Sequence, residues 1–284
     1  MTSRISFHRA ILLTAMVVVA GLIQVPVLTA RADAYTFATM SDGVMIRYVQ
    51  LGRRGTPVVL IHGFSSDLER NWMTTGIASA LARNHRVVLF DMRGHGKSEK
   101  PHDPAKYATD RFAQDAFELM DRLGIQRAHI GGYSMGGDVV RVMMAMAPAR
   151  FMTAYLGGAG IADPDPARRA ADAALDREGT DPRNAAAIAE VQNRPNDRVA
   201  LQAVQSGRAA GPTKYPGVDL ATFPAPLLLL AGEFDRPNAK TAYAKRTART
   251  VEVVVIAGRS HLVAQSSPEH RDALVRFIAA HDRR

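Results

Sequence analysis

Gly131-Gly132-Tyr133-Ser134-Met135-Gly136-Gly137-Asp138 sets one serine between two pairs of glycines. The residues before it, Ala128-His129-Ile130, read as a short buried strand, and those from Val139 to Met146 as a helix. The core of the stretch fits G-x-S-x-G, a pattern that a chain of this size shows by chance roughly one time in ten. Its context therefore decides its meaning. Strand, tight turn and helix in that order form a nucleophile elbow, which aims a serine hydroxyl outward from a strained backbone. Side chains at 132 and 136 would collide across such a turn, so glycine is required there. The helix that follows directs backbone N–H groups at the same spot.

A serine hydroxyl is a weak nucleophile until a base accepts its proton. Among nine histidines, His261 in Ala257-Gly258-Arg259-Ser260-His261 follows the last apolar strand and lies at the strand-end rim. His62 precedes a glycine turn and reads as a structural hydrogen-bonder beneath a loop; His95 lies in an Arg-Gly turn and His129 inside a strand. The base in turn needs a carboxylate to fix its tautomer. Asp235 follows the penultimate strand by a short loop and is the expected partner, with Glu233, Asp163 and Asp165 as rivals. Asp91 in Phe90-Asp91-Met92-Arg93-Gly94 reads as the anchor of a glycine turn. Two backbone donors complete the expected site: the Phe64 amide after the strand end Leu60-Ile61-His62-Gly63, and the Met135 amide behind the serine. Phe64, Met135 and Leu262 are expected to supply pocket wall.

The chain has 284 residues, 47% of them hydrophobic, and no cysteine. This length suits one large domain or two small ones. Absence of cysteine excludes a thiol nucleophile, a cysteine-ligated zinc and disulfide staples. Residues 1–34 read as a secretory signal peptide: Arg4 and Arg9, the uncharged run Ile11 to Leu28, then small residues that place cleavage after Ala32 or Ala34. The competing reading is an uncleaved membrane anchor over residues 10–28; only then is membrane contact expected. A secreted or periplasmic location follows from the first reading. The formal charge of +9 becomes +7 when Arg4, Arg9, Arg31 and Asp33 are set aside. The remaining arginines are dispersed among acids and not interleaved with aromatics, so no nucleic-acid partner is expected.

Residues 35–284 form one domain of alternating strands and helices, which implies a mostly parallel sheet covered on both faces. Thr36 to Met40 and Val44 to Gly52 read as an opening antiparallel pair. Glu69 to Asn84 has helical spacing, with Trp72, Ile77 and Leu81 on one face. Between about 161 and 222 the rhythm changes. This stretch is rich in Ala, Asp, Arg and Pro, has Tyr215 as its only aromatic, and reads as an insertion with two helices, each opened by a proline.

Taken in order, Val58-Val59-Leu60-Ile61-His62-Gly63-Phe64, Phe90-Asp91-Met92-Arg93-Gly94-His95-Gly96, the Ser134 elbow, Leu227 to Asp235 and Gly258 to His261 resemble the α/β-hydrolase superfamily in its single-domain serine esterase and lipase-like branch. The resemblance covers nearly all of residues 35–284. It implies an eight-stranded, mainly parallel sheet with helices on both faces and a helical cap after the sixth strand, which residues 161–222 would form. It implies Ser134, Asp235 and His261 as the catalytic residues and the Phe64 and Met135 amides as the oxyanion hole, with no metal and no organic cofactor. Tyr133 departs from the histidine that many relatives carry there. The implied activity is hydrolysis of a small-molecule carboxylic ester. The same groups would also serve C–C bond, thioester or lactone hydrolysis or perhydrolysis, and a non-catalytic binding protein on this fold is the reading from another class.

Overall fold

A computed structural model describes residues 35–211, 213–215 and 217–282. The expected signal peptide lies outside the described residues. Among those described, no helix is long and apolar enough to cross a membrane.

Eight strands form one sheet: β1 (Thr36–Thr39), β2 (Met45–Leu51), β3 (Pro57–Ile61), β4 (Arg86–Phe90), β5 (Ala128–Tyr133), β6 (Phe151–Gly157), β7 (Leu227–Gly232) and β8 (Val251–Ile256). Their spatial order is β1-β2-β4-β3-β5-β6-β7-β8. The β1–β2 and β2–β4 pairs are antiparallel, and all others are parallel. The apolar runs Val58 to Ile61, Val87 to Phe90 and Leu227 to Leu230 take the inner positions, because a parallel strand between helical layers has no face left for solvent.

The two-residue period of a strand divides these runs between two cores. Val59, Ile61, Val88, Phe90, Ile130, Leu227 and Leu229 meet α2 (Thr109–Arg122) and α3 (Met135–Met146) on one face. Val58, Leu60, Val87, Leu89, Leu228 and Leu230 meet α1 (Ile77–Leu81) and α9 (Pro268–His281) on the other.

The helix expected over Glu69 to Asn84 is two pieces. Residues Glu69–Met73 form one wide turn in which the Thr74 N–H reaches the Glu69 carbonyl at 2.9 Å. Gly76, at φ +74°, then starts α1 afresh. A left-handed residue cannot continue the helix, while Trp72, Ile77 and Leu81 all stay buried as their spacing requires.

Among the described residues, the insertion between β6 and β7 holds three helices rather than two: α4 (Pro166–Ala173), α5 (Asn184–Gln192) and α6 (Arg198–Ala210). Pro166 opens α4 as expected, but Pro182 precedes α5 instead of starting it. The third helix buries mainly small residues, Ala200, Ala203, Val204 and Gly207, which mark its period only faintly. Asp197 caps it by accepting from the Ala200 N–H at 3.0 Å, and Gly207 lets it approach the Pro104 carbonyl. After β7 come α7 (Pro237–Thr247), β8 and the short α8 (His261–Gln265).

Candidate active site

Ser134 sits between the carboxyl end of β5 and the first residue of α3, at φ 54° and ψ −119°. A positive φ is costly for a residue with a Cβ. The surroundings impose it: the Ser134 N–H is tied to the Gly157 carbonyl at 2.7 Å, and its own carbonyl accepts from Asp138. A Cβ on Gly132 would fall on the Gly136 carbonyl, and one on Gly136 on the Ile61 carbonyl. The outer glycines have packing roles. Gly131 leaves room for the Tyr155 ring, which would lie 2.6 Å from a Cβ, and Gly137 does the same for the Ala159 side chain.

His261 begins α8 just beyond β8, and Asp235 follows β7. The fold brings both to Ser134. Ser134 Oγ lies 2.9 Å from His261 Nε2, and Asp235 Oδ2 lies 2.8 Å from His261 Nδ1. A carboxylate on Nδ1 requires the proton there, which leaves the Nε2 lone pair facing the serine hydroxyl. Gly158, at φ +60°, keeps the space beside the imidazole open; a Cβ there would lie 2.8 Å from His261 Cε1. Tyr133, the departure from the family pattern, donates its hydroxyl to the His261 carbonyl at 2.6 Å and so anchors the start of α8.

The rival carboxylates are engaged elsewhere. Glu233 accepts from the Gly258 N–H at 2.8 Å, Asp163 pairs with Arg246 and Asp165 caps α4. Asp91 pins its loop as expected, accepting from the Leu68 and Lys97 amides and pairing with Arg47 at 2.8 Å. His95 and His129 are buried, and burial lowers their pKa values to about 3 and about 4.

His62 is beneath the loop. Its Nε2 accepts from the Met92 N–H at 2.9 Å, so Nδ1 carries the proton and donates to the Gly63 carbonyl at 2.8 Å. Burial lowers its pKa to about 4, which keeps it neutral near pH 7. The Gly63–Phe64 peptide is thereby fixed by its carbonyl, and in a trans peptide the Phe64 N–H points the opposite way. Met135 is the first residue of α3, where the N–H has no carbonyl within the helix to meet.

These groups open onto a cleft of about 530 Å³ walled by both the sheet loops and the insertion. Phe64 and Leu262 line it with Thr75, Val191, Glu190 and Arg194. The expected Met135 wall is absent: that side chain is buried in the core at 3% exposure, because the first turn of α3 packs inward. Four neighbours had no sequence signal: two act over fewer than ten residues and two from the insertion about 130 positions away. Asn71 Oδ1 accepts from the Gly63 N–H at 3.0 Å, Lys240 pairs with the second Asp235 oxygen, and Arg194 and Asn196 bond Ser65. No group of acids and histidines among the described residues is arranged to hold a metal ion.

A doubly covered, mostly parallel sheet with a polar cleft at its strand ends and a helical insertion over that cleft defines an α/β-hydrolase architecture. Residues 56–207, just over half of the chain, match the pattern of the alpha/beta hydrolase fold family, and the chain belongs to that family. It is 37% identical over 123 residues to the dihydrolipoyllysine-residue acetyltransferase component of the acetoin cleaving system of Pseudomonas putida, covering 43% of this chain and 32% of that protein. It is 36% identical over 120 residues to a non-heme chloroperoxidase of Streptomyces lividans, covering 42% of each. The matched segment thus spans under half the length of these relatives. A thermophilic esterase from Thermogutta terrifontis shares the fold, with a TM-score of 0.66 over 88% of this chain and 100% of that one at 22% identity.

Proposed function

We propose that the chain is a serine hydrolase that cleaves a carboxylic ester of a small or medium-sized substrate through an acyl-enzyme intermediate. The observation that carries this reading is the continuous hydrogen-bond relay Asp235–His261–Ser134 at 2.8 and 2.9 Å, opening on the cleft. Ser134 Oγ attacks the ester carbonyl while His261 Nε2 takes its proton. The oxyanion that forms accepts from the Phe64 and Met135 amides. Collapse breaks the C–O bond, and the leaving alcohol takes the proton back from His261. Water then attacks the acyl group with His261 again as base, which releases the acid and restores the serine. Asp235 holds the imidazole in the required tautomer and stabilises its charged form. A cleft of about 530 Å³ suits a substrate of this size. On the insertion side Arg183, Glu190 and Arg194 stand beside Ala186, Ala187 and Val191, which favours a short acyl chain over a long one.

The test is turnover of p-nitrophenyl butyrate together with labelling by a fluorophosphonate probe. Wild-type protein is expected to do both, and Ser134→Ala neither, at unchanged melting temperature. A folded wild-type protein that resists labelling would sink the proposal. We further propose that residues 1–34 direct export and are removed; N-terminal sequencing of the protein recovered outside the cytoplasm should begin at Asp33 or Tyr35.

A further inference from the structure

We infer that Arg194 and Asn196, in the connection between α5 and α6, are positioning residues for the oxyanion-binding loop. The insertion would then take part in the chemistry as well as in enclosing the cleft. This inference rests on the serine-hydrolase reading above.

The loop Gly63-Phe64-Ser65 is gripped from two sides. On the sheet side, Gly63 gives its N–H to Asn71 Oδ1 and its carbonyl accepts from His62 Nδ1 and the Ser66 N–H. On the other side stands Ser65, at φ +58°, a conformation disfavoured for any residue with a Cβ. Such a backbone persists only where neighbours over-determine it. Here the neighbours belong to the insertion. Asn196 Nδ2 donates to the Ser65 carbonyl at 3.2 Å and lies 2.8 Å from Ser65 Oγ, while Arg194 Nη1 donates to the same carbonyl at 3.1 Å.

The connection is itself stiffened. The Asn196 N–H bonds the Arg194 carbonyl at 2.8 Å, Pro195 stands between the two, and Arg194 Nη2 is held by Glu190 at 3.0 Å. Ser65 is buried at 7% exposure, so water is a poor substitute for these donors. Phe64, whose amide would receive the oxyanion, lies between the two grips. Without the insertion's grip, Ser65 would relax toward negative φ and carry the Phe64 peptide with it.

Asn196→Ala should lower kcat for p-nitrophenyl butyrate about 10- to 100-fold and leave KM within about twofold, the split expected when a donor acts mainly in the transition state. Affinity for phenylboronic acid, which forms a tetrahedral adduct with an active serine, should fall in parallel. Ser65→Gly in the Asn196→Ala background should recover several-fold in kcat, because glycine adopts positive φ without the clamp. If Asn196→Ala fails to fold, Arg194→Met leaves the Asn196 bonds intact and should show the same split at a smaller scale. Unchanged kcat in a variant of an active wild type would overturn this inference alone, as would a rise in KM with kcat and boronate affinity preserved. A wild type that neither turns over ester nor labels would defeat the underlying reading, and the inference with it.

Discussion

The site has two walls built on opposite principles. The sheet wall carries Ser134, Gly63 and Phe64 on turns whose backbone atoms nearly touch, above two dense apolar cores. The insertion wall carries α4 and α5, neither of which buries a single side chain. Polar contacts tie it to the body: Ser260 to Asn184 at 2.8 Å, Arg246 to Asp172 and Asp163 at 2.7 Å, and Arg194 and Asn196 to Ser65. Close packing fixes position to fractions of an ångström, which a nucleophile needs. A polar tether fixes orientation at a few points and leaves the remaining surface free to vary. The contrast teaches that chemistry and enclosure are supported by different forces in this molecule.

The sharpest way to break the contrast is at Ser134. Ser134→Ala should reduce kcat by about 10⁴-fold or more, read as ester turnover, without lowering thermal stability, because the methyl fits where Cβ already stands. Next comes the backbone support. Gly132→Ala places a Cβ on the Gly136 carbonyl and should cost roughly 3 kcal/mol or more in chemical denaturation. Gly131→Ala meets the Tyr155 side chain at 2.6 Å instead of backbone and should cost about 1–3 kcal/mol. Equal costs would contradict the distinction between a backbone contact and a side-chain one.

A pH titration of stability sharpens the same comparison. His62 and His270 are buried and neutral, with pKa values lowered by burial to about 4 from an ordinary 6.5. His270 accepts from the Tyr155 hydroxyl at 2.6 Å and donates to the Gln265 carbonyl at 2.7 Å, so it has no room for a second proton. Between those two pH values the unfolded chain binds more protons than the folded one, and unfolding free energy rises with pH. Stability is therefore full above about 6.5 and is lost as pH falls toward 4, by on the order of 2–3 kcal/mol per histidine. His270→Gln should flatten that slope, measured by denaturant unfolding at a series of pH values. The smallest effect belongs to the insertion. Arg246→Ala removes a pair to Asp172 and Asp163 but is itself 38% exposed, and should move the melting temperature by no more than about 2 °C.

The sheet wall was legible in the sequence and the insertion wall largely was not. Apolar runs such as Val58 to Ile61 and Leu227 to Leu230 announce buried strands, and glycine pairs around Ser134 announce a turn that no side chain could share. Each signal is local, so reading along the chain finds it. Chain order then places Asp235 and His261 at the same rim, where the structure puts His261 within hydrogen-bond reach of both Asp235 and Ser134. Helix α6 escaped because its burial falls on Ala200, Ala203, Val204 and Gly207, small residues that leave a faint period. The break at Gly76 escaped because Trp72, Ile77 and Leu81 keep a helical spacing across it. The bonds from Arg194 and Asn196 to Ser65 span about 130 positions, and no local pattern encodes such a meeting.

The exposed helices α4 and α5 have a consequence for how this chain can change. Since neither helix buries a side chain, replacements along them meet little folding constraint, whereas every residue of β5 is buried. Diversity introduced at Ala186 and Ala187, which face the cleft, can therefore reshape what enters it while the melting temperature hardly moves. The molecule separates the residues that keep it folded from those that decide what it meets.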